Sequence, residues 1–225
     1  MSTYKCSPCD SGEKPLYKYM ASRWARRFLS DGELRIGTLY DFRDVERLGP
    51  KIGDASEGLK HLRRERVTTI DTRQPDTIPY FLRDRISVRA PHRLQIVASG
   101  GVGRTLEDPN CFVFCLTDRF DPAAMKDLGY DACIEVLAPQ EFFRAITMKL
   151  RHVVSSFWGA AHVMYRSRTV KVEEDLGVPP AFVKDLDYQH QREARGVWIA
   201  RRPETIVPMI VHAKRAARMC RALSV

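Results

Sequence analysis

The segment Phe182 to Trp198, FVKDLDYQHQREARGVW, concentrates ionisable and hydrogen-bonding side chains. If Gln191 to Ile199 is a strand, Gln191, Glu193 and Arg195 fall at i, i+2 and i+4 and share one face. A carboxylate held there could stabilise positive charge developing on a substrate. The solvent face of an edge strand with an exposed Glu–Arg pair accounts for the same spacing. A second segment, residues 16–44, ends in TLYDFRD. It puts Tyr17, Lys18 and Tyr19 on one strand and Thr38 and Tyr40 on the next. Aromatic residues in strands usually pack into a core, so this segment alone decides nothing.

Other motifs are less informative. Gly100-Gly101-Val102-Gly103-Arg104-Thr105 could cradle a phosphate only if it opened a helix. LEDPN follows, so a hairpin or surface turn is expected. There is no G-x-S-x-G, H-E-x-x-H or H-x-x-E-H, and the six histidines are scattered. A Cys with a distant His stays open as a nucleophile, because such pairs meet only in space. Cys6 and Cys9 are spaced C-x-x-C, and Cys111 and Cys115 C-x-x-x-C. Four such ligands could hold zinc. NCFVFCLTD reads as a buried strand, however, and buried Cys behaves as a small hydrophobe. No metal is expected.

The elements that must position these residues follow from periodicity. LYKYM (16–20) reads as a strand. Ser22 caps a helix through Leu29, with Trp24, Ala25, Phe28 and Leu29 as its apolar stripe, and Asp31-Gly32 stops it. In ELRIGTLY (33–40), Leu34, Ile36 and Thr38 alternate with Glu33, Arg35 and Gly37, a strand pattern. Residues 41–60 read as a long loop, and VTTI and RLQIVAS as the clearest strands of 61–100. CFVFCLTD (111–118) is a buried strand, Asp121-Pro122 opens a short helix, and ACIEVL (132–137) is a strand. A helix runs from Pro139 to about His152. Strands are expected at 162–170, 191–199 and 205–211, short helical AFVKDL after Pro179-Pro180, and a closing helix at 213–223. Many strands with interspersed helices but no regular βαβ alternation argue for α+β. The expected architecture is a single domain with mixed or antiparallel central sheets and flanking short helices. Residues 1–14 form a flexible N-terminal segment and 15–225 the domain.

The 225 residues are 44% hydrophobic and 29% charged. That balance excludes a mainly disordered tail, a collagen-like repeat and a disulfide miniprotein. A net charge of +9 favours an anionic partner. The longest nearly uncharged stretch, 153–165, is too short to span a bilayer, so no membrane partner is expected. The first fifteen residues lack the apolar run of a secretory signal, and sparse cysteines suit a reducing cytoplasm. Basic residues cluster at 60–93 (Lys60, Arg63, Arg64, Arg66, Arg73, Arg83, Arg85, Arg89, Arg93) and at 214–221. On a closing helix, Lys214, Arg218 and Arg221 share a face. That face is either simply solvated or an electrostatic footprint for DNA or RNA.

Taken together, LYKYM, a helix, and a D-G-x-L-R strand ending in YDFRD resemble the opening of an ADP-ribosyltransferase fold. The chain is also similar to a widespread bacterial family of unknown-function domains, whose C-terminus reads K, spacer, Y, spacer, E-x-E-x-R. Here that end is Lys184, Tyr188, then Gln191-Arg192-Glu193-Ala194-Arg195. The resemblance implies NAD as substrate, Glu193 as the catalytic glutamate, and Gln191 as the residue orienting the acceptor. It implies that Lys18 and Tyr19 on the first strand hold the ribose and phosphate, Lys18 standing where His or Arg is usual. Thr38 or Tyr40 would contact the nicotinamide ribose or ring, and Arg43 and Arg195 the pyrophosphate. The activity implied is mono-ADP-ribosyl transfer to a macromolecule, nucleic acid ahead of protein, in antiviral defence or as a toxin. A non-enzymatic nucleic-acid-binding module is the alternative.

Overall fold

A computed structural model describes residues 14–64, 67–71, 74, 76, 78, 95–98 and 101–223. In chain order the first elements are β1 (Leu16–Met20), α1 (Ser22–Asp31), β2 (Glu33–Thr38), α2 (Val45–Leu48), β3 (Leu59–Arg64), β4 (Val67–Asp71) and β5 (Gln95–Ala98). β6 (Val102–Glu107), β7 (Phe112–Thr117), α3 (Pro122–Asp127), β8 (Ala132–Val136), α4 (Pro139–Leu150) and β9 (Val154–His162) follow. The last are β10 (Met164–Tyr165), β11 (Thr169–Lys171), β12 (Val183–Lys184), β13 (Glu193–Ala200), β14 (Met209–His212), α5 (Lys214–Ala217) and β15 (Cys220–Leu223). This is an α+β fold of mostly antiparallel strands with a few short helices.

β7 is the hub of the main sheet. One of its edges pairs along its whole length with β13, from Glu193↔Thr117 to Trp198↔Phe112. The other edge is shared. β2 takes its beginning (Gly37↔Val113, Thr38↔Phe112) and β1 its end (Tyr17↔Thr117). β1 and β2 therefore splay apart, and the Cys115 carbonyl in the fork is bonded by the Lys18 ammonium at 2.8 Å instead of by a strand. A buried carbonyl left without a donor is costly, so Lys18 closes the ladder where the strands diverge. Beyond the fork β1 pairs with β8 and β2 with β14, while β13 also pairs with β9.

Local sequence explains the elements around this hub. α1 buries Ala25 and Phe28 and stops at Gly32, which takes a left-handed φ of 73°. A Cβ at Gly32 would lie 2.4 Å from the Lys214 backbone nitrogen, so only glycine fits. Ser22 is the first helical residue rather than the cap, and its N–H donates to Asp131 at 2.6 Å. Asp121 caps α3 as its sequence indicates, accepting from the Ala123 and Ala124 N–H groups. Phe28, Phe142, Phe143 and Trp198 pack one face of the sheet under α1 and α4. Gly196 lets Phe143 approach, because a Cβ there would be 2.3 Å from the ring.

Several expectations change. The strand expected at 162–170 breaks into parts, and the long strand is β9, upstream of it. The expected closing helix stops at Ala217. Cys220–Leu223 then pairs with the edge of β8 left open by β1, since an unpaired edge outweighs helical periodicity. AFVKDL becomes a turn of 3-10 helix followed by β12. Of the turn expected at 100–103, Gly100 lies outside the described residues and Val102 and Gly103 belong to β6, which pairs with β3. The loop at 41–60 contains α2 and a 3-10 turn at Asp41–Arg43. Residues 1–13, including Cys6 and Cys9, lie outside the described residues, as do Arg66, Arg73, Arg83, Arg85, Arg89 and Arg93. No helix among the described residues is long and apolar enough to cross a membrane.

Candidate active site

The strand carrying Glu193 begins at that residue, not at Gln191. Gln191 ends a 3-10 turn (Leu186–Gln191), and Arg192 between them has a left-handed φ of 47° and ψ of 48°. Among the described residues it is the one non-glycine with positive φ. Arg192 is held there by Asp118, which accepts its guanidinium at 2.6 and 3.2 Å while donating its own N–H to the Arg192 carbonyl. A strained residue of this kind costs on the order of 1 kcal/mol and persists only where the surroundings impose it. The reversal turns Gln191 and Glu193 toward the same ammonium. Lys184 donates to Gln191 at 2.6 Å and to Glu193 at 3.0 Å.

Behind them lies a buried charge network. Arg195, one of the largest fully buried side chains, makes a two-pronged contact with Glu57 at 2.7 and 3.1 Å. Its Nε donates to Glu193 Oε2 at 2.6 Å and one Nη to the Ala181 carbonyl at 2.7 Å. Two cations, Lys184 and Arg195, thus balance two carboxylates, Glu57 and Glu193. The Tyr165 hydroxyl accepts the Glu193 N–H at 2.7 Å, and the Tyr188 ring lies 4.6 Å from the Lys184 ammonium. The Arg168–Asp54 pair buttresses the loop that carries Glu57. Burial alone raises the Glu193 pKa, but Arg195 and then Lys184 outweigh it and hold the carboxyl at about 2. Arg195 is likewise raised well above its ordinary value: burial opposes its charge, and Glu193 and Glu57 overcome that opposition.

Glu193 is half-buried and reaches the wall of a cleft. That cleft, of about 570 Å³, is also lined by Lys18, Tyr19, Arg119, Tyr130 and Gln191. That volume is in the range of small-molecule sites. Lys18 has its pKa lowered by burial, with Glu193 partly opposing the shift. Among the described residues no carboxylate pairs with it. Its ammonium has three N–H donors, of which the Cys115 carbonyl takes one. Cys115 also lines the cleft, but burial pushes its thiol up to about 11 and that of Cys111 to about 12. Neither is an activated nucleophile or a ready metal ligand. Among the described residues no group of His, Cys, Asp or Glu could hold a metal ion.

The structure brings Lys18, Tyr19, Gln191 and Glu193 together and leaves the other expected ligands outside this cleft. Thr38 is buried in β2 with its hydroxyl accepting the Asp41 N–H at 3.2 Å. Tyr40 bonds Glu107 at 3.0 Å, and Arg43 bonds Glu107 at 2.8 Å and the Glu57 carbonyl at 2.7 Å. Arg195 is sealed within the network, so it anchors Glu193 rather than meeting a pyrophosphate. Glu57 was not legible as a partner. It sits in a stretch that reads as loop, and Asp54 and Glu57 beside Gly53 and Gly58 are its only local signal of a fixed turn. The chain matches no protein-family model, no curated protein and no solved structure.

Proposed function

We propose that the cleft binds NAD and that the protein is a mono-ADP-ribosyltransferase, passing ADP-ribose to a macromolecular acceptor, nucleic acid in preference to protein. The observation that carries this reading is Glu193, an ionised carboxylate on the wall of a cleft whose lining also includes Tyr17, Tyr19, Tyr130, Lys18, Arg119 and a second carboxylate, Asp121. A carboxylate has about four acceptor sites, and the hydrogen bonds from Lys184 and Arg195 use two of them. The remainder can accept the ribose 2′-hydroxyl. When the C1′–N bond breaks, its electron pair leaves with neutral nicotinamide and positive charge develops on ribose. A fixed negative charge stabilises that transition state without reorganising. The acceptor then bonds C1′ and releases a proton. Lys18, Arg119 and Arg192 supply cations for the pyrophosphate. Tyr17, Tyr19 and Tyr130 supply apolar surface for the rings.

Four residues of the cleft, Lys18, Tyr19, Gln191 and Glu193, are among those that the resemblance to ADP-ribosyltransferases implies, which supports an ADP-ribosyltransferase-like fold. A non-enzymatic nucleic-acid-binding module is the second reading, favoured by the engagement of both Glu193 oxygens with internal cations. The test is incubation with NAD, with and without single-stranded DNA or RNA. Release of nicotinamide with an ADP-ribose mass added to a polymer supports the transferase. Neither NAD binding nor nicotinamide release under any condition would leave the binding module.

A further inference from the structure

α1 turns an arginine face to solvent. Arg23, Arg26 and Arg27 stand at i, i+3 and i+4 on the side opposite buried Ala25 and Phe28, and all three are exposed. Trp24 beside them is 39% exposed, which leaves part of its ring open to solvent. The Arg23 and Arg27 guanidinium groups lie 5.3 and 5.1 Å from its ring. α5 packs against this helix. The Ala213 N–H donates to the Gly32 carbonyl at 2.7 Å, which sets exposed Lys214, Arg215 and Arg218 alongside the C-terminal end of α1. Nearby carboxylates occupy only part of this charge: Glu33 pairs with Arg27 at 3.1 Å and Glu141 with Arg215 at 3.5 Å. Asp31 is bonded by Ser30, and Asp131 by the Ser22 N–H. Among the described residues, Arg23, Arg26, Lys214 and Arg218 have no carboxylate within ion-pair distance.

We infer that the joined outer faces of α1 and α5 bind a single-stranded nucleic acid, with phosphates on Arg23, Arg26, Lys214 and Arg218 and an unpaired base stacked on Trp24. Unpaired surface cations interleaved with an exposed aromatic ring are what a strand with accessible bases requires. Trp24 also borders a recess in the fork between β1 and β2, and Lys18, Tyr19 and Tyr130 line both this recess and the cleft described above. A strand held on α1 is thus next to the cleft. The inference rests on the nucleic-acid acceptor in the proposed function and does not require the NAD chemistry. It also corrects the basic helix read at 213–223. Arg221 lies on β15 and pairs with Glu135, whereas the free cations of α5 are completed by α1.

The test is fluorescence anisotropy of labelled single-stranded DNA and RNA oligonucleotides with the full chain, without NAD, over a salt series. The comparison protein carries Arg23→Glu, Arg26→Glu, Lys214→Glu and Arg218→Glu, all exposed positions. Circular dichroism checks its fold, and basal NAD cleavage should be unchanged in it. Binding of the wild type should weaken with salt at a log–log slope of roughly −3, from about 0.7 per phosphate over four contacts. The quadruple variant should lose at least about 100-fold in affinity at low salt. Trp24→Ala should lose roughly 10-fold for a strand with bases, and nothing for an abasic sugar-phosphate strand. Undetectable binding at low salt, or a folded quadruple variant that binds as well as wild type, overturns the proposal. So does tighter binding of duplex than of single strand with no effect of Trp24→Ala. Nicotinamide release is measured separately, so failure here is distinguishable from failure of the cleft assignment.

Discussion

Two charged regions of this chain solve opposite problems. At the cleft, Glu57, Lys184, Glu193 and Arg195 are withdrawn from water and every charge faces an opposite one. On α1 and α5, Arg23, Arg26, Lys214 and Arg218 remain in water with no carboxylate within ion-pair distance among the described residues, Asp131 being the carboxylate that feels the Arg26 charge. Desolvation explains the difference. A buried ion is tolerated only with a partner and hydrogen bonds in good geometry, whereas an exposed cation is stabilised by water and stays available to an external anion. The first arrangement fixes one carboxylate in place. The second leaves charge free to bind.

Substitutions should separate the regions sharply. Arg195→Met leaves Lys184 as the one remaining cation of the network for both Glu57 and Glu193, and is expected to destabilise the fold by about 3–5 kcal/mol. Denaturant unfolding measures this, and a loss near zero would mean water reaches the network. Lys18→Met strips the Cys115 carbonyl of its donor in the fork and should cost roughly 1–3 kcal/mol by the same method. The quadruple charge reversal on α1 and α5 should change stability by no more than about 0.5 kcal/mol per substitution, while the proposed nucleic-acid binding should fall by at least about 100-fold.

Acid titration sharpens the contrast within the buried region. Glu193 has its pKa lowered from the ordinary 4.5 to about 2. The unfolded chain therefore binds more protons there, and this stabilisation is present above 4.5 and is lost as pH falls toward 2. Asp108 behaves oppositely. Burial raises its carboxyl from 3.8 to about 6, only partly offset by the Ala181 N–H and Lys60. The folded chain binds more protons between those values, so stability increases as pH falls from about 6 toward 3.8. Together the two groups predict a stability maximum near pH 4 in urea unfolding across pH. Asp108→Asn should flatten the upper limb and Glu193→Gln the lower one. An unchanged profile in both variants would contradict these assignments.

Much of the central architecture was legible because it rests on local signals. LYKYM, the Asp31-Gly32 stop, the Asp121-Pro122 cap and buried CFVFCLT all declare themselves by periodicity or turn chemistry. Spacing puts Gln191 and Glu193 on one face, and Lys184 and Tyr188 join them only through the family resemblance. The assumed mechanism, a continuous strand from Gln191, was wrong, since the left-handed Arg192 does the turning. Glu57, 138 residues from Arg195 in sequence, left no periodic trace. The end of α5 was also hidden, because the open edge of β8 decides it and an edge is a tertiary feature.

We propose that the ionised Glu193 carboxylate performs chemistry in this cleft. The most direct measurement is nicotinamide release from NAD by wild type beside Glu193→Gln, with NAD binding to both determined by calorimetry and folding confirmed by circular dichroism. The account predicts release by wild type, a loss of about 10²–10³ in kcat for the variant, and retained NAD binding. NAD cleavage by a folded Glu193→Gln protein at the wild-type rate would contradict it, as would the absence of both binding and release in the wild type.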